Sequence, residues 1–345
     1  MYCCSNCFTS NYLKEIIEGN GQTGECDYCG SKNVKIIEPD KLFPQFQNLL
    51  GYFNADENSE HELITLIEKY FPRKIFSELL KDNCKELLTS IVYIEYESFG
   101  SLFEGKVRFT LDETSGLQSN WEKFKNEIKY VNRFHIQNVL DLNELKEQFL
   151  KPEFARCLPQ GSILYRGRIS DKGGYELSEM GNPPIEKARP GRANPTGISY
   201  LYVSDQPETT LYESRASLLD YVTVAEFRLK GELKVMNLRD DTSLDLIRWA
   251  ELEEVEMYLF IHKLHEELSK PYRKNDQELD YLPTQYLCEF IKALGYEGVE
   301  YMSSLYKGGY NIAVFTSDKL EGVTTRVHEI KSINLIHTEV EIQIE

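Results

Sequence analysis

Two groups of residues in this chain have the types and spacing to do chemistry. Cys4-Ser5-Asn6-Cys7 and Cys26-Asp27-Tyr28-Cys29 are two C-x-x-C knuckles. A three-residue step lets two thiolates face one point, and four thiolates complete the tetrahedral shell of a zinc ion. Such a shell is closed to water, so Cys4, Cys7, Cys26 and Cys29 are expected to hold a structural Zn²⁺ rather than a catalytic one. Cys3 is an equivalent ligand to Cys4 on sequence grounds. A redox dithiol is the competing reading, and it needs a thioredoxin-like βαβ setting that the flanking residues lack. Of the eight cysteines, Cys84, Cys157 and Cys288 stand apart in apolar or helical settings and read as small core residues.

The second group begins at Gly191-Arg192-Ala193-Asn194-Pro195-Thr196-Gly197 and runs through Ser199-Tyr200-Leu201-Tyr202-Val203. A turn-rich loop carrying an arginine enters a strand with alternating tyrosines. Asp205-Gln206-Pro207-Glu208 then opens a helix with a capping-box pattern, and that helix carries Glu213. A guanidinium, phenols and a carboxylate within one strand-loop-helix unit suit an anionic, aromatic ligand. Each residue also has an ordinary alternative: Arg192 on the surface, Tyr202 in the core, Glu213 on a solvated helix face.

The elements that must position these residues fall into three regions, giving an α+β fold class. Residues 1–40 hold both knuckles and are too few to bury a core unaided, as suits a zinc-binding ribbon. Residues 41–155 read as a helical domain: Leu63, Ile64, Ile67 and Phe71, then Ile75, Phe76, Leu79 and Leu80, then Trp121, Phe124, Ile128 and Val131, and finally Leu142, Leu145 and Phe149 recur at steps of three and four. The stretch from Ile91 to Phe109 is less regular and reads as extended. From 156 to 345 strands alternate with helices: strands at 162–166, 199–203, 221–227, 298–301 and 311–315, and helices over 244–268 and from Pro283 to Gly295, with alternating apolar residues Val340, Ile342 and Ile344 in the tail.

Acidic residues outnumber basic ones 56 to 39, for a formal charge of −17. That field repels phosphate backbones and anionic membrane surfaces, so neither nucleic acid nor a membrane is the expected partner. The N-terminus lacks a signal-peptide pattern and no apolar run approaches about 20 residues. The expected location is cytoplasmic, where clustered cysteines favour metal over disulfides.

Several motifs occur together in order: Leu164-Tyr165-Arg166-Gly167-Arg168, the GRANP-x-GI-x-YLY segment, Thr209-Thr210-Leu211-Tyr212-Glu213, Tyr281-Leu282-Pro283-Thr284-Gln285-Tyr286, Gly298 to Ser304 and Gly308-Gly309-Tyr310-Asn311. Over roughly residues 156–320 this set resembles the RES domain, named for an Arg, a Glu and a Ser, and the segment before it looks like the HEPN-like region fused to some RES domains. The resemblance implies an ADP-ribosyltransferase-like fold and an NAD⁺-degrading toxin or defence effector, with NAD⁺ as substrate. It assigns catalysis to Arg166, Glu213 and Ser303, with Ser304 as the alternative serine, and NAD⁺ contacts to Arg192, Tyr202, Ser304 and Asn311. Met302 departs from the family, where proline often precedes the serine. A toxin needs restraint or a trigger, so an antitoxin, a phage component or self-association is the implied partner.

The residue types fit that chemistry. Cleaving the nicotinamide–ribose bond builds positive charge on the ribose, as in glycoside hydrolysis; Glu213 is expected to stabilise it. Arg166 and Arg192 are expected to hold the diphosphate, Tyr202 to stack on the cationic ring, and Ser303 to orient the ribose or carboxamide. Rival readings are ADP-ribosyl transfer to a protein, a non-catalytic nucleotide sensor, and a HEPN-type ribonuclease. The last needs an Arg with a His a few residues on, which neither His61 nor His135 provides.

Overall fold

Short-range pairing and caps set the elements of the N-terminal part. The computed structural model describes residues 1–71, 75–111, 116–136, 139–239, 245, 247–248, 255–271 and 278–334. Strands β1 (Cys3–Cys4), β2 (Gln22–Glu25) and β3 (Lys32–Ile37) form an antiparallel sheet in the order β1-β3-β2, with helix α1 (Asn11–Asn20) started by Ser10, whose hydroxyl accepts from the Leu13 amide. Helices α2 (Phe43–Leu50), α3 (Leu63–Tyr70) and α4 (Cys84–Val92) follow, with the short α5 (Tyr96–Phe99) and α6 (Ser101–Glu104). Strands β4 (Phe53–Ala55) and β5 (Val107–Phe109) pair antiparallel, and α7 (Gly116–Asn126) runs on into a π-turn over Glu127–Val131.

Two expectations fail in this part. Residues 75–80 do not form a helix, because the backbone of Phe76 bridges to Phe8 and Ser77 caps a 3-10 turn over Glu78–Asn83. The stretch 91–109 is helical as far as Glu104, and only Val107–Phe109 is extended.

In the remainder, α8 (Leu142–Phe149) precedes strands β6 (Ala155–Leu158), β7 (Ile163–Ser170), β8 (Leu201–Ser204), β9 (Tyr221–Leu229), β10 (Leu233–Asn237), β11 (Gly298–Met302), β12 (Tyr310–Val314) and β13 (Leu320–Glu329). They form an eight-stranded sheet in the order β13-β9-β7-β8-β12-β11-β10-β6. Only the β10–β11 pair is parallel, and a parallel pair requires a crossover. Helix α9 (Pro207–Ser214) lies between β8 and β9, while α10 (Val255–Ser269) and α11 (Leu282–Ala293) belong to the crossover. α11 starts on Pro283 and is followed by Gly295 at φ 91°, as expected. Most of 244–254 and the alternating tail residues 340–344 lie outside the described residues. One face of the sheet is apolar: Leu201 faces Val314 and Val203 faces Ile312 across β8 and β12, and they join Leu164, Phe227, Leu229, Leu233 and Val235 in one buried cluster. Each such side chain contributes about 1.5–3 kcal/mol on burial.

The chain divides into two compact units: Met1–Leu142 with Thr242–Lys263, and Asn143–Asp241 with Leu264–Glu345. The cysteine module does not stand apart from the helices, because Phe8 packs on Phe46 and Phe76 and the Ser77 amide donates to the Cys7 carbonyl. Segment 242–263 returns to the first unit, where Tyr258 meets Phe71 and Phe260 meets Trp121 edge-on. The second unit begins at Asn143; within it Phe149 packs on Phe290 and accepts the Tyr296 hydroxyl at its carbonyl. Among the described residues no helix is long and apolar enough to cross a membrane.

Candidate active site

Sheet register assembles the polar end of the second unit. Ser204, Asn311 and Tyr301 lie opposite one another on β8, β12 and β11, so their side chains leave one face of the sheet. The Ser204 hydroxyl donates to Asn311 Oδ1 at 2.7 Å, which turns the amide so that Nδ2 donates to Glu213 Oε1 at 2.9 Å. The Ser303 hydroxyl, just past β11, donates to the same oxygen at 2.6 Å. Ser303 Oγ in turn accepts from the Leu305 and Tyr306 amides, which fixes the serine loop. Glu213 is thus held by two neutral donors, one on β12 and one in the loop after β11, and bonds of this charge-assisted kind are strong.

Helix α9 delivers Glu213 by close approach to the sheet. A Cβ on Gly167 would lie 2.6 Å from Thr210 Oγ1, and one on Gly309 would meet Thr209 Oγ1, so both glycines are required by contact. The expected capping box does not form. Gln206 is the N-cap without a side-chain bond, and Asp205 Oδ1 instead accepts from Thr209 Oγ1 and the Tyr310 amide.

A cavity of about 260 Å³ opens here, lined by Arg166 and Gly167 of β7, Tyr202 to Ser204 of β8, Thr210, Glu213 and Ser214 of α9, Tyr301 and Asn311. Arg166 Nη1 donates to the Gly181 carbonyl at 2.5 Å. Burial, with the neighbouring Arg168 charge, pushes its pKa down to about 10, so the guanidinium stays cationic at neutral pH. Tyr202 and Tyr301 are raised by burial and are neutral phenols there.

Of the residues singled out from sequence, Arg166, Tyr202, Glu213 and Asn311 line this cavity and Ser303 bonds to one of its walls. Ser304 is exposed, whereas Ser303 is buried; the structure brings the first serine, not the second, to Glu213. Arg192 is not among the cavity residues; its guanidinium donates to the Glu267 and Pro271 carbonyls at the end of α10 and lies 5.0 Å over the Tyr281 ring. Carbonyls at a helix C-terminus are a natural cation site. Tyr202 is partly structural as well, donating its hydroxyl to Asn194 Oδ1 at 2.6 Å. Sequence reasoning missed Asn194, whose Nδ2 reaches the Arg189, Pro195 and Ile198 carbonyls, and gave no role to Gln285 and Thr284, which bind the same loop at Gly191, Asn194 and Arg192. Asn194 lies in the GRANP segment and Thr284 and Gln285 in the Tyr281 to Tyr286 segment, and only the fold brings the two segments into contact.

In the first unit the sulfurs of Cys4, Cys7, Cys26 and Cys29 lie within 4.8 Å of one another, with Cys4–Cys29 at 3.5 Å and Cys7–Cys26 at 3.4 Å. A tetrahedron with Zn–S bonds of about 2.3 Å has edges of about 3.8 Å, so the donor set fits such an ion. Cys3 is buried outside the cluster, which leaves Cys4 as the fourth sulfur. Cys157, expected in a core, is exposed because β6 is an edge strand.

Comparison with known proteins gives two family matches: the RES domain over residues 164–335 and HEPN/RES N-terminal domain 1 over residues 19–141. No curated protein matches the chain. Among solved structures, a chain of the M. tuberculosis MbcT-MbcA toxin-antitoxin complex aligns with 14% identity over 55% of this chain and 94% of its own, at a TM-score of 0.31. The two family matches follow one another along the sequence and together take in both the helical region and the Glu213 cavity: the chain belongs to the RES family and carries HEPN/RES N-terminal domain 1 in front of its RES domain.

Proposed function

We propose that the second unit consumes NAD⁺ by cleaving its nicotinamide–ribose bond. The observation that carries this reading is the Glu213 carboxylate, oriented by Ser303 and Asn311 against a cavity that also contains Arg166. Bond cleavage leaves the electron pair on nicotinamide and positive charge on the ribose carbon and ring oxygen. A fixed carboxylate stabilises that charge most in the transition state, where it is largest. Arg166 uses one of a guanidinium's five N–H donors on Gly181, and its remaining donors suit the diphosphate. The cavity is large enough for the nicotinamide–ribose end of the dinucleotide, and the neutral Tyr202 and Tyr301 rings give that end an aromatic wall. In this reading Arg192 acts on the loop and not on the diphosphate. The cysteine cluster holds a structural Zn²⁺, which supplies folding energy to the first unit and takes no part in the reaction.

The test is incubation of purified full-length protein with NAD⁺, with and without phosphate, followed by product identification. Nicotinamide release is the expected result. Free ADP-ribose assigns hydrolysis, ADP-ribose phosphate assigns phosphorolysis, and ADP-ribose attached to a polypeptide assigns transfer. NAD⁺ that stays intact with the wild-type protein, alone and in cells that express it, overturns the reading.

A further inference from the structure

The sheet face turned away from the Glu213 cavity carries a charged group that the proposed reaction does not use. Side chains alternate along β11, so with Tyr301 on the cavity side Glu300 points to the apolar face, level with Ile312 of β12. Glu300 is fully buried there. Its Oε1 meets Arg156 of β6 and Arg239, just past β10, the latter at 3.0 Å. Both guanidinium groups also face the ring of Tyr310, at 5.1 Å and 4.7 Å from its centroid, and Arg156 Nη2 donates to the Tyr310 hydroxyl at 3.3 Å. One carboxylate thereby holds two cations against one ring. Such a cluster is a poor source of stability, because taking charges out of water costs as much as their pairing returns, and apolar side chains would fill the face without that cost. Fixed geometry is the better reason for it.

Tyr310 is the first residue of β12, and its backbone lies where three parts of the site join. Its amide donates to Asp205 Oδ1 at 3.1 Å and its carbonyl accepts from the Asp205 amide at 3.1 Å, which ties it to the start of α9. Asn311, next in the strand, points to the cavity face and donates to Glu213 Oε1, while Gly309, just before, accepts the Ser303 amide at 2.8 Å. Both donors to Glu213 therefore hang on the backbone at Tyr310. We propose that Glu300 is a positioning residue for the Glu213 site: through Arg156 and Arg239 it clamps the Tyr310 ring, and the clamped strand sets where Asn311 and Ser303 meet the carboxylate. The inference rests on the reading that Glu213 acts in NAD⁺ cleavage. A displacement of about 1 Å near the reacting atoms can cost about a hundredfold in rate, so a loosened ring is read out in turnover.

The experiment measures kcat and KM for nicotinamide release from NAD⁺ by the full chain, by Glu300→Gln, Tyr310→Leu and Tyr310→Phe, and by the double variant Glu300→Gln with Tyr310→Leu. A crystal structure of Tyr310→Leu accompanies it. Glu300→Gln keeps the side chain's shape and removes its charge, whereas Tyr310→Leu removes the ring and leaves the ion pairs in place, so the second variant decides the matter if the first does not fold. The expected result is a kcat about tenfold lower in each single variant with KM within about twofold, recovery of most of that loss in Tyr310→Phe, and a double variant no slower than the slower single one. In the crystal the Asn311 or the Ser303 bond to Glu213 Oε1 is expected to open beyond about 3.5 Å. Wild-type kcat in Glu300→Gln, losses that multiply in the double variant, a Tyr310→Phe protein as slow as Tyr310→Leu, or a Tyr310→Leu crystal with both bonds intact overturns the inference. A wild-type protein that leaves NAD⁺ intact defeats the reaction proposed above instead, and the crystal structure then decides the positioning role by itself.

Discussion

The cysteine cluster and the Glu213 cavity both gather polar side chains, and they do so to opposite ends. Around the cysteines four equivalent groups from two tight turns converge on one point, each sulfur within 4.8 Å of the others. A metal there is enclosed by its ligands, so the arrangement stores stability and offers no room for a reactant. Around Glu213 the donors are unlike one another, neutral, and brought from β12 and from the loop after β11; they fix one oxygen of a carboxylate that still borders a cavity. The difference teaches that a structural site completes its groups with each other, whereas a candidate reactive site orients them and leaves a face for something else.

Breaking the cysteine side of this contrast should have the largest effect. Structural zinc contributes on the order of 10 kcal/mol in small modules, so Cys26→Ser is expected to unfold the first unit and to lower bound zinc from about one ion per chain to none. Native mass spectrometry and circular dichroism check it; a metal-free wild-type protein with an ordered N-terminus removes the metal from the account. On the other side, Glu213→Gln keeps the side chain's shape and removes its charge. Turnover should fall by roughly a hundredfold or more, about 3 kcal/mol, with NAD⁺ affinity nearly unchanged, because the charge it meets exists chiefly in the transition state. Full activity in this variant would remove Glu213 from the reaction and leave it only an anchor for Ser303 and Asn311.

Smaller effects sharpen the comparison. Gly167→Ala forces a Cβ against Thr210 Oγ1 and should lift α9 from β7, costing about 1–3 kcal/mol of stability by thermal unfolding as overpacking does. An unchanged melting temperature would mean the threonine turns aside freely. Ser303→Ala removes one of the two donors to Glu213 and should lower turnover by about tenfold, while Ser304→Ala, on an exposed position, should do nothing measurable. Equal losses in the two serine variants would mean that the loop as a whole, and not the Ser303 bond, matters.

The cysteine ligands were legible because their geometry is local: three residues separate partners in each knuckle, and spacing alone brings their thiols together. Glu213, Arg166 and Ser303 were legible as motifs, but their contacts depend on strand register and on α9 resting on Gly167 and Gly309, which no periodicity reveals. The carbonyl partners of Arg192 were hidden for the same reason, since an arginine in a turn-rich loop looks alike whether it faces a diphosphate or the carbonyls of a helix end. Glu300, inside the Gly298 to Ser304 motif, carries no signal of its own role. It is fully buried between Arg156 and Arg239, both stacked on Tyr310, and in sequence it was one charged residue in a strand. Removing one partner of such a group costs about 3–5 kcal/mol, so its place is strongly determined, but only by residues more than fifty positions away.

The crossover joining β10 to β11 carries a consequence for modularity. Because 242–263 belongs with the N-terminal unit, the backbone passes between the units three times, at 142/143, 241/242 and 263/264. Neither unit is a continuous stretch of sequence. A single cut at 142/143 leaves Tyr258 and Phe260 on the fragment opposite to their aromatic partners Phe71 and Trp121. The two halves are therefore not exchangeable cassettes: a RES domain grafted from another chain would have to bring, inside its own loop, the residues that complete its neighbour's core.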